Sequence, residues 1–264
     1  MKMPVLFIGH GSPMNIIADN DFTRSLVKLG KDLPKPRVIL VVSAHWLTEG
    51  TFVTCEEKPK TIHDFFGFPE ELYRIHYPSP GSPADARLIT EKVKTPTVKC
   101  STEWGLDHAS WAILKHMYPK ADIPVIEMSL DYQPYNDGGG KTLRYYYDLA
   151  KQLTFLREKS VLIIGSGNIV HNLNAADYEY TNAKPFDWAV EFDEQVKRNL
   201  LDRNHEALLD FHNLTPAKVL SAPTLDHYMP MIFAIALQGK NDDLTFTYEG
   251  FQNASVSMRC FKIG

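Results

Sequence analysis

The chain has 264 residues, of which 44% are hydrophobic and 23% are charged, values typical of a globular protein. A length near the upper limit for one hydrophobic core predicts a single domain over residues 1–264. Lys and Arg number 28 against 32 Asp and Glu, a net charge of −4 without a basic block, which disfavours nucleic-acid binding. No segment reaches the roughly 18 apolar residues of a membrane span.

The cysteines and the first residues bear on the compartment. Cys55, Cys100 and Cys260 are odd in number, widely spaced and without a CxxC pair. That pattern argues against a disulfide frame and against a thiolate metal site, and it suits a reducing compartment. The first residues lack the apolar stretch and cleavage site of a signal peptide. We therefore expect a cytoplasmic protein.

Apolar runs alternate with helical patterns, which predicts an α/β fold with a mostly parallel central sheet flanked by helices. Strands are expected at about 4–8, 37–43, 51–55, 96–100, 123–129, 160–165, 244–249 and 254–262. Helices are expected at about 20–31, 83–93, 107–117, 141–157, 186–203, 206–211, 215–221 and 226–238. The first, second and sixth strands are apolar almost throughout, as in central strands covered on both faces. The last two strands alternate with period two, which indicates additional half-exposed C-terminal edge strands.

Two stretches are loop-like, the proline-rich 56–82 and the segment 131–140. Long loops in a compact domain often cover a substrate. The first of them carries His63, which could line a substrate mouth, and Phe65. With Trp104, Phe65 could contribute to an aromatic wall around a substrate.

Three histidines follow strand-like apolar runs. His10 follows the first run inside Gly9–Pro13, His45 follows the second, and His171 lies seven residues beyond the third. In open α/β sheets ligands bind beyond the carboxyl ends of the strands. Because neutral imidazole is the commonest protein ligand for zinc, iron and copper, three imidazoles at one edge predict a metal site.

The segment Gly165–Asn168 has two interpretations. It could be a glycine-rich phosphate cradle, although it lacks the spacing of a dinucleotide-binding or P-loop motif. Alternatively, its small residues let His171 reach the crevice as a base or a ligand.

Two further histidines are placed at predicted helix starts. Asp107 could cap the helix that begins with His108, where the helix dipole favours a neutral imidazole that acts as acid or base. The alternative is a capped helix start with no catalytic part. His227 opens an apolar helix, and Asp226 could cap it or accept a hydrogen bond from a histidine ligand.

These motifs, in this order, closely resemble the class III extradiol ring-cleavage dioxygenases, the protocatechuate-4,5-dioxygenase superfamily. The similarity is nearest to the small 4,5-DOPA dioxygenase (DODA-type) branch and runs over essentially the whole chain. The matching motifs are Gly9–Met14, Val42–Trp46, Thr61–Phe65, Tyr77–Pro83, Trp104–His108, Gly165–Asn168 with His171–Asn172, and Asp226–Tyr228.

The resemblance implies that one divalent metal is held by His10, His45 and His227. It implies that His171 is a fourth ligand or the base that accepts a catechol proton, and that His108 is a second acid or base that donates a proton. A catechol and O2 would be the small-molecule substrates and a muconate semialdehyde the product. The sequence itself leaves a monomer or a homodimer open, because the edge strands at 244–262 could pair across a dimer or be covered internally.

The donor set leaves the metal open. Iron(II) oxygenases commonly use two histidines and a carboxylate, whereas the third position here is His227. Three or four histidines serve redox-inert zinc equally well. The resemblance implies that zinc is the metal expected on recovery, while Fe(II) is the one expected to work. Alternatives are a zinc hydrolase, a metal-dependent sensor on the same scaffold, and a tetrapyrrole chelatase, to which only the first turn is similar.

Overall fold

A computed structural model describes residues 2–132 and 140–264 of the chain. Most of the predicted loop at 131–140 lies outside these residues. The helices are α1 Asp21–Asp32, α2 Glu70–Tyr73, α3 Pro83–Lys92, α4 His108–Met117, α5 Gly140–Lys151, α6 Phe155–Glu158, α7 Asp187–Leu201, α8 His205–Leu209, α9 Lys218–Ser221 and α10 Met229–Ala236. The strands are β1 Val5–Gly9, β2 Val38–Thr48, β3 Thr51–Thr54, β4 Val98–Ser101, β5 Val125–Asp131, β6 Val161–Gly167, β7 Leu244–Tyr248, β8 Phe251–Gln252, β9 Val256–Ser257 and β10 Cys260–Ile263.

Eight strands form one sheet in the order β4-β3-β5-β2-β6-β1-β10-β7. The four central strands β5, β2, β6 and β1 are parallel to one another, while β3 is antiparallel to β5 and β10 is antiparallel to β1. The predicted α/β class with a mostly parallel sheet and added C-terminal strands is therefore confirmed. Parallel strands bring their carboxyl ends to one edge, which is where the histidines follow.

Both faces of the sheet are covered by helices. Along β1, Val5 and Phe7 point into a core shared with α5, α7 and α10, whereas Leu6 and Ile8 point into a second core shared with α1 and α4. All four side chains are fully buried. A strand that is buried on both faces cannot alternate in polarity, which is why β1 is apolar throughout.

The predicted strand at 254–262 is wrong in part. The chain turns at Asn253 and Ala254, β9 pairs with β8 in a separate hairpin, and only β10 joins the main sheet, between β1 and β7. Its period-two pattern does not mark a half-exposed edge. The polar side chains of Ser257 and Arg259 are buried because both donate hydrogen bonds to Asp193 on α7.

The expectation that no disulfide forms is also wrong. Cys55, directly after β3, is bonded to Cys100 on β4. The register of the two strands pairs Val53 with Cys100, which brings the two cysteines to adjacent positions on neighbouring strands. Cys260 is free and buried. Among the described residues, no helix combines the length and the apolar character needed to cross a membrane.

Candidate metal centre

A turn after β1 and a bulge in β2 place His10 and His45, respectively, at the carboxyl edge of the sheet. His10 directly follows β1, and Gly11 beyond it has a φ of +63°, a conformation that favours glycine. β2 does not end at residue 43 as predicted but continues to Thr48. Its register with β5 jumps from Val42 to Leu47, so His45 lies in a bulge. A bulge re-aims a side chain, which here turns the imidazole toward His10.

Close packing of α10 against β6 brings in His227. A Cβ at Gly165 would lie 2.1 Å from the carbonyl oxygen of Pro230, and one at Gly167 would lie 2.2 Å from that of His227. The backbone amide of Asn168 donates to the carbonyl of His227 at 2.9 Å. The glycines of this segment therefore make room for the start of α10, and a phosphate cradle is ruled out because that space is filled.

The imidazoles of His10, His45 and His227 converge through their Nε2 atoms. His45 Nε2 lies 3.2 Å from Nε2 of His10 and 3.3 Å from Nε2 of His227. The residues His10 and His227 are only 4% and 6% exposed. Three nitrogens at these separations offer one cation a common position on the sheet edge.

A separate acceptor fixes the tautomer of each of these imidazoles. Ser166 donates its hydroxyl to the carbonyl of Ala109, so its oxygen accepts from His10 Nδ1 at 3.1 Å. Asp64 accepts from His45 Nδ1 at 3.0 Å, and Asp226 accepts from His227 Nδ1. With the proton held on Nδ1, each Nε2 keeps its lone pair for a metal ion, the arrangement that outer hydrogen bonds impose at histidine metal sites. The hydrogen bond between His227 and Asp226 that the sequence suggested is present.

Burial and mutual repulsion keep most of these rings neutral. Burial, then the neighbouring His45, lowers the pKa of His10 well below its ordinary value, and burial lowers that of His227 despite Asp226. Burial is the largest single influence on His45 and opposes its charge, but the hydrogen bond to Asp64 together with the charges of Asp107, Asp64 and Asp226 raises its pKa above the ordinary value. Hydrogen bonds from His108 and His45 hold the pKa of Asp64 below its ordinary value although burial acts against this, so Asp64 is a carboxylate.

His171 lies beside the three converging rings and not among them. Its ring is stacked on that of His227, with 3.5 Å between centroids and 10° between planes. A ring nitrogen of His171 lies within 4.8 Å of ligand atoms of Asp226 and His227, and it does not belong to the set formed by His10, His45 and His227. Burial, then His227, lowers the pKa of His171 well below its ordinary value. A neutral imidazole here is available to accept a proton.

Asp64 ties His108 to His45. One oxygen of Asp64, Oδ2, accepts from Nδ1 of both rings, at 2.9 Å from His108 and 3.0 Å from His45. The other oxygen accepts the backbone amide of His108 at 2.8 Å. The ring centroids of His45 and His108 are 4.2 Å apart. His108 is thus neutral at Nδ1–H with its Nε2 lone pair free, and burial lowers its pKa.

Asp107 does not cap α4 with its side chain, contrary to the prediction. It occupies the N-cap position, but its carboxylate accepts from Ser43 at 2.7 Å, and Asp64 caps the helix instead. Buried Glu127 accepts from the backbone amide of Asp107 at 3.2 Å, and burial, then Asp107, raises the pKa of Glu127 well above its ordinary value. Through these hydrogen bonds, Ser43 and Glu127 hold Asp107, the residue directly before His108.

The three predicted substrate contacts differ in placement. Phe65 is buried and meets His108 edge-on at 5.5 Å. His63 lies next to Phe65, but its Nε2 donates to the carbonyl of Ile75 at 3.0 Å. Trp104 donates its indole N–H to Glu127 at 2.8 Å and stacks on Trp46. Phe65 therefore borders the histidine cluster directly, while the polar atoms of the other two are engaged inside the protein.

Sequence reasoning did not single out Asp64, Ser166 or Glu127. Asp64 lies between His63 and Phe65, and this carboxylate between two aromatic side chains is the sequence feature that could have drawn attention to it. Ser166 lies inside the glycine-rich segment Gly165–Asn168, whose glycines suggest phosphate binding and do not indicate a role for the serine. Glu127 is a charged residue between apolar Ile126 and Met128 in the buried strand β5, a pattern that marks a buried and partnered group.

Residues 4–258 match the family described as the catalytic LigB subunit of aromatic ring-opening dioxygenase. The chain belongs to this family. It is an extradiol ring-opening dioxygenase, as the resemblance of the sequence predicted, and its family depends on a metal ion for which the histidine cluster provides donors.

Relatives match over most of their length. A 4,5-DOPA dioxygenase extradiol from Escherichia coli K12 is 41% identical over 269 residues, covering 100% of this chain and 95% of the relative. A 4,5-DOPA dioxygenase extradiol from Mirabilis jalapa is 36% identical, covering 89% and 86%. The crystal structure of an uncharacterized protein from E. coli K12 superposes with a TM-score of 0.83 at 37% identity, covering 99% of this chain and 100% of that one.

Proposed function

We propose that the chain opens a catechol ring such as that of DOPA at the extradiol 4,5-position with O2, giving a muconate semialdehyde. Relatives named 4,5-DOPA dioxygenase extradiol support this substrate class. The observation that carries the proposal is the convergence of three Nε2 lone pairs, each fixed by a separate acceptor on Nδ1. A metal ion on these nitrogens would bind both catechol oxygens and pass electron density from the ring to O2.

We propose His10, His45 and His227 as the metal ligands. The donor set consists of three imidazoles with outer carboxylates at Asp64 and Asp226, which suits a divalent ion of the zinc or iron type. Because zinc is redox-inert, Fe(II) is the working metal and zinc the one recovered when it is the more available.

His171 is the base for the first proton. It stands outside the converging triad, stacked on His227, with a neutral ring. A catechol that binds beside His227 presents a hydroxyl on that side. Uptake of this proton by His171 leaves the substrate as the more electron-rich anion.

His108 moves the second proton. Its resting tautomer carries the hydrogen on Nδ1, so Nε2 accepts a proton or a hydrogen bond from a bound oxygen before it returns the proton to product. Asp64 stabilises the imidazolium that forms between these events. Phe65, edge-on to His108, limits the position of the aromatic ring, and His63 and Trp104 contribute ring faces to the outer wall.

The test is oxygen uptake. Protein stripped of metal is reloaded anaerobically with Fe(II) or with Zn²⁺ and mixed with DOPA in air. We expect uptake and a yellow product with iron, none with zinc, and loss of both in His171→Ala at unchanged metal content. No uptake by the iron-loaded protein, or full uptake by His171→Ala, would contradict the proposal or the base assignment respectively.

The proposal also covers the cellular compartment and the oligomeric state of the protein. A small-molecule dioxygenase needs no macromolecular partner, and we propose a cytoplasmic monomer or homodimer. The bond between Cys55 and Cys100 weakens the cysteine argument for that compartment. Size-exclusion chromatography with light scattering decides between the two assemblies.

A further inference from the structure

The hairpin of β8 and β9 contacts two of the segments that carry histidines of the cluster. The two strands form a separate sheet, in which Gln252 lies directly opposite Val256. Val256 also forms an antiparallel bridge with His171. One pair of residues in the hairpin therefore leads to both contacts.

The first contact runs from Gln252 through Asn15 to the backbone of His10. Nδ2 of Asn15 donates to Oε1 of Gln252 at 2.9 Å, and Nε2 of Gln252 donates to Oδ1 of Asn15 at 3.0 Å. Nδ2 of Asn15 also donates to the carbonyl of His10 at 3.3 Å. Gln252 and Asn15 are 6% and 7% exposed, so water is a poor substitute for either amide. Gln252 thus orients the amide that holds the His10 carbonyl.

Close packing of Asn15 under the turn after His10 leaves this amide little freedom. A Cβ at Gly11 would lie 3.0 Å from Nδ2 of Asn15. Asn20 donates to Oδ1 of Asn15 at 3.3 Å, and the backbone amide of Asn15 donates to the carbonyl of Ser12 at 2.9 Å. A shift of the Asn15 side chain therefore reaches the backbone next to His10.

The second contact fixes the backbone on both sides of His171. Ser257 donates its amide to the carbonyl of Val170 at 3.0 Å, and the carbonyl of Ser255 accepts the amide of Asn172 at 3.3 Å. The hydroxyl of Ser255, which is fully buried, donates to the carbonyl of Asn172 at 2.8 Å. Ser255 therefore holds the residue after His171 by two hydrogen bonds.

Other segments hold the hairpin from outside. The backbone amide of Asp177 donates to the carbonyl of Asn253 at 2.9 Å. That of Phe186 donates to the carbonyl of Ala254 at 3.1 Å. On the other strand, Asp193 of α7 accepts from a β9 hydroxyl at 2.6 Å. Because the hairpin is bound independently of the histidines, it provides a fixed reference for both.

We propose that the β8–β9 hairpin sets the spacing between His10 and His171, with Gln252 and Ser255 as positioning residues. The inference rests on the proposed function, in which His10 is a metal ligand and His171 the first base. Gln252 acts on the ligand through Asn15, and Ser255 acts on the base through the backbone. Loss of the first contact should show in metal binding, and loss of the second in proton transfer.

Gln252→Met tests the contact to the ligand, because it keeps the length of the side chain and removes both hydrogen bonds. The matched control is Gln238→Met near the amino end of β1, where the Gln238 amide is also bonded at both ends, to His205 and to the carbonyl of Asp242, each at 3.0 Å. We expect Gln252→Met to bind Co²⁺ about tenfold more weakly and to alter the visible spectrum of the bound ion, which reports the ligand geometry. The control should lower only the unfolding temperature.

A double-mutant cycle tests whether Gln252 acts through Asn15. Once Asn15→Leu is present, Gln252→Met should cost no further Co²⁺ affinity. Losses that add, or an unchanged Co²⁺ spectrum in Gln252→Met, would overturn the role of Gln252. Calorimetry of the metal-free proteins checks that each variant folds.

Ser255→Ala tests the contact to the base. We expect unchanged Co²⁺ affinity and spectrum, and with Fe(II) a kcat about fivefold lower at unchanged KM for the catechol, because only the base has moved. Ser25→Ala is the control, since it removes a hydroxyl bond to the carbonyl of Phe22 on α1 and should change none of these quantities. An unchanged kcat, or weakened Co²⁺ binding, would overturn the role of Ser255.

The Co²⁺ measurements separate this inference from the proposed reaction. A wild-type protein that takes up no O2 with iron, but whose Co²⁺ spectrum changes in Gln252→Met, would refute the reaction. The positioning of a base by Ser255 would fall with it, whereas the hold of the hairpin on His10 would stand.

Discussion

A polar cluster lies at each end of β1, and the two clusters are built on opposite principles. At the amino end, the buried guanidinium of Arg157 donates to the carbonyls of Met3 and Leu237, both at 2.7 Å, and to Asp242 at 2.5 Å. Donors face acceptors, and charges of opposite sign meet. At the carboxyl end, His10 and its neighbours turn acceptor nitrogens toward one another at 3.2 to 3.3 Å.

The difference separates stability from chemistry. The Arg157 end is complete in itself, so it joins β1, the segment before β7 and the end of β10 without any further group. At the histidine end, we propose that a cation balances the converging lone pairs. A region that is satisfied by its own atoms holds the fold, and one that is not is available to bind.

The largest effect is expected from removal of a ligand. His10→Ala should lower metal affinity and ring-opening activity by about a thousandfold, equivalent to about 4 kcal/mol, because the ion loses one of three donors. The metal-free variant should unfold at a temperature close to that of the metal-free wild type, because the substitution removes a nitrogen whose lone pair faces that of His45. Metal content, oxygen uptake and calorimetry in the presence of a chelator measure the three quantities.

His212→Ala is the control for this change, because His212 is exposed and remote from the cluster. It should leave metal content and uptake unchanged. Strong destabilisation of metal-free His10→Ala would show that the histidine end supports the fold in the way the Arg157 end does, and the comparison would fail.

An intermediate effect is expected from a change of Asp242, which binds Arg157 at the amino end of β1. Asp242 is 8% exposed, and although burial acts against it, hydrogen bonds from Lys2 and Arg157 lower the pKa of this carboxyl to about 2. Its folded pKa is below its unfolded value, so the stabilisation is complete above about pH 4 and lost as the pH falls toward 2. Asp242→Asn should lower the free energy of unfolding by about 2 kcal/mol at neutral pH without changing metal affinity.

Denaturant unfolding at a series of pH values measures this difference. The gap between wild type and Asp242→Asn should narrow between about pH 4 and pH 2. A gap that stays constant over that range would show that the stabilisation comes from packing and not from the charge of Asp242.

The sequence was sufficient for the elements and for the converging histidines, because both depend on local patterns. A strand buried on both faces is apolar throughout, and residues after parallel strands share an edge. His10 could be found in this way, whereas His227 lies at a helix start and was indicated by the resemblance to the dioxygenase family. His45 was found as well, although its strand continues past it. The bulge in β2 that turns its imidazole toward His10 leaves no mark in the sequence pattern.

The remainder depends on contacts between distant segments. Nothing local tells that Gly165 makes room for Pro230, or that Ser257 and Arg259 are buried against Asp193. Asp64 lies 44 residues before the histidine whose helix it caps, so Asp107, next to His108, was the natural but wrong choice. The disulfide likewise follows from the pairing of β3 with β4, which spacing alone does not reveal.

The smallest effect is expected at Asp64, where the two principles meet: its carboxylate satisfies two imidazoles at the histidine end as Asp242 satisfies Arg157 at the other. Asp64→Asn keeps one oxygen that can accept from His45 and His108, but it loses the charge and places an amide against the backbone N–H of His108. We expect activity to fall about tenfold, with the loss mainly in kcat because the imidazolium form of His108 is no longer stabilised. Metal affinity should fall less, since Nε2 of His45 still points at the ion. An Asn variant with unchanged kcat but strongly reduced metal content would show instead that Asp64 serves the ligand alone, and that His108 reaches its working state without it.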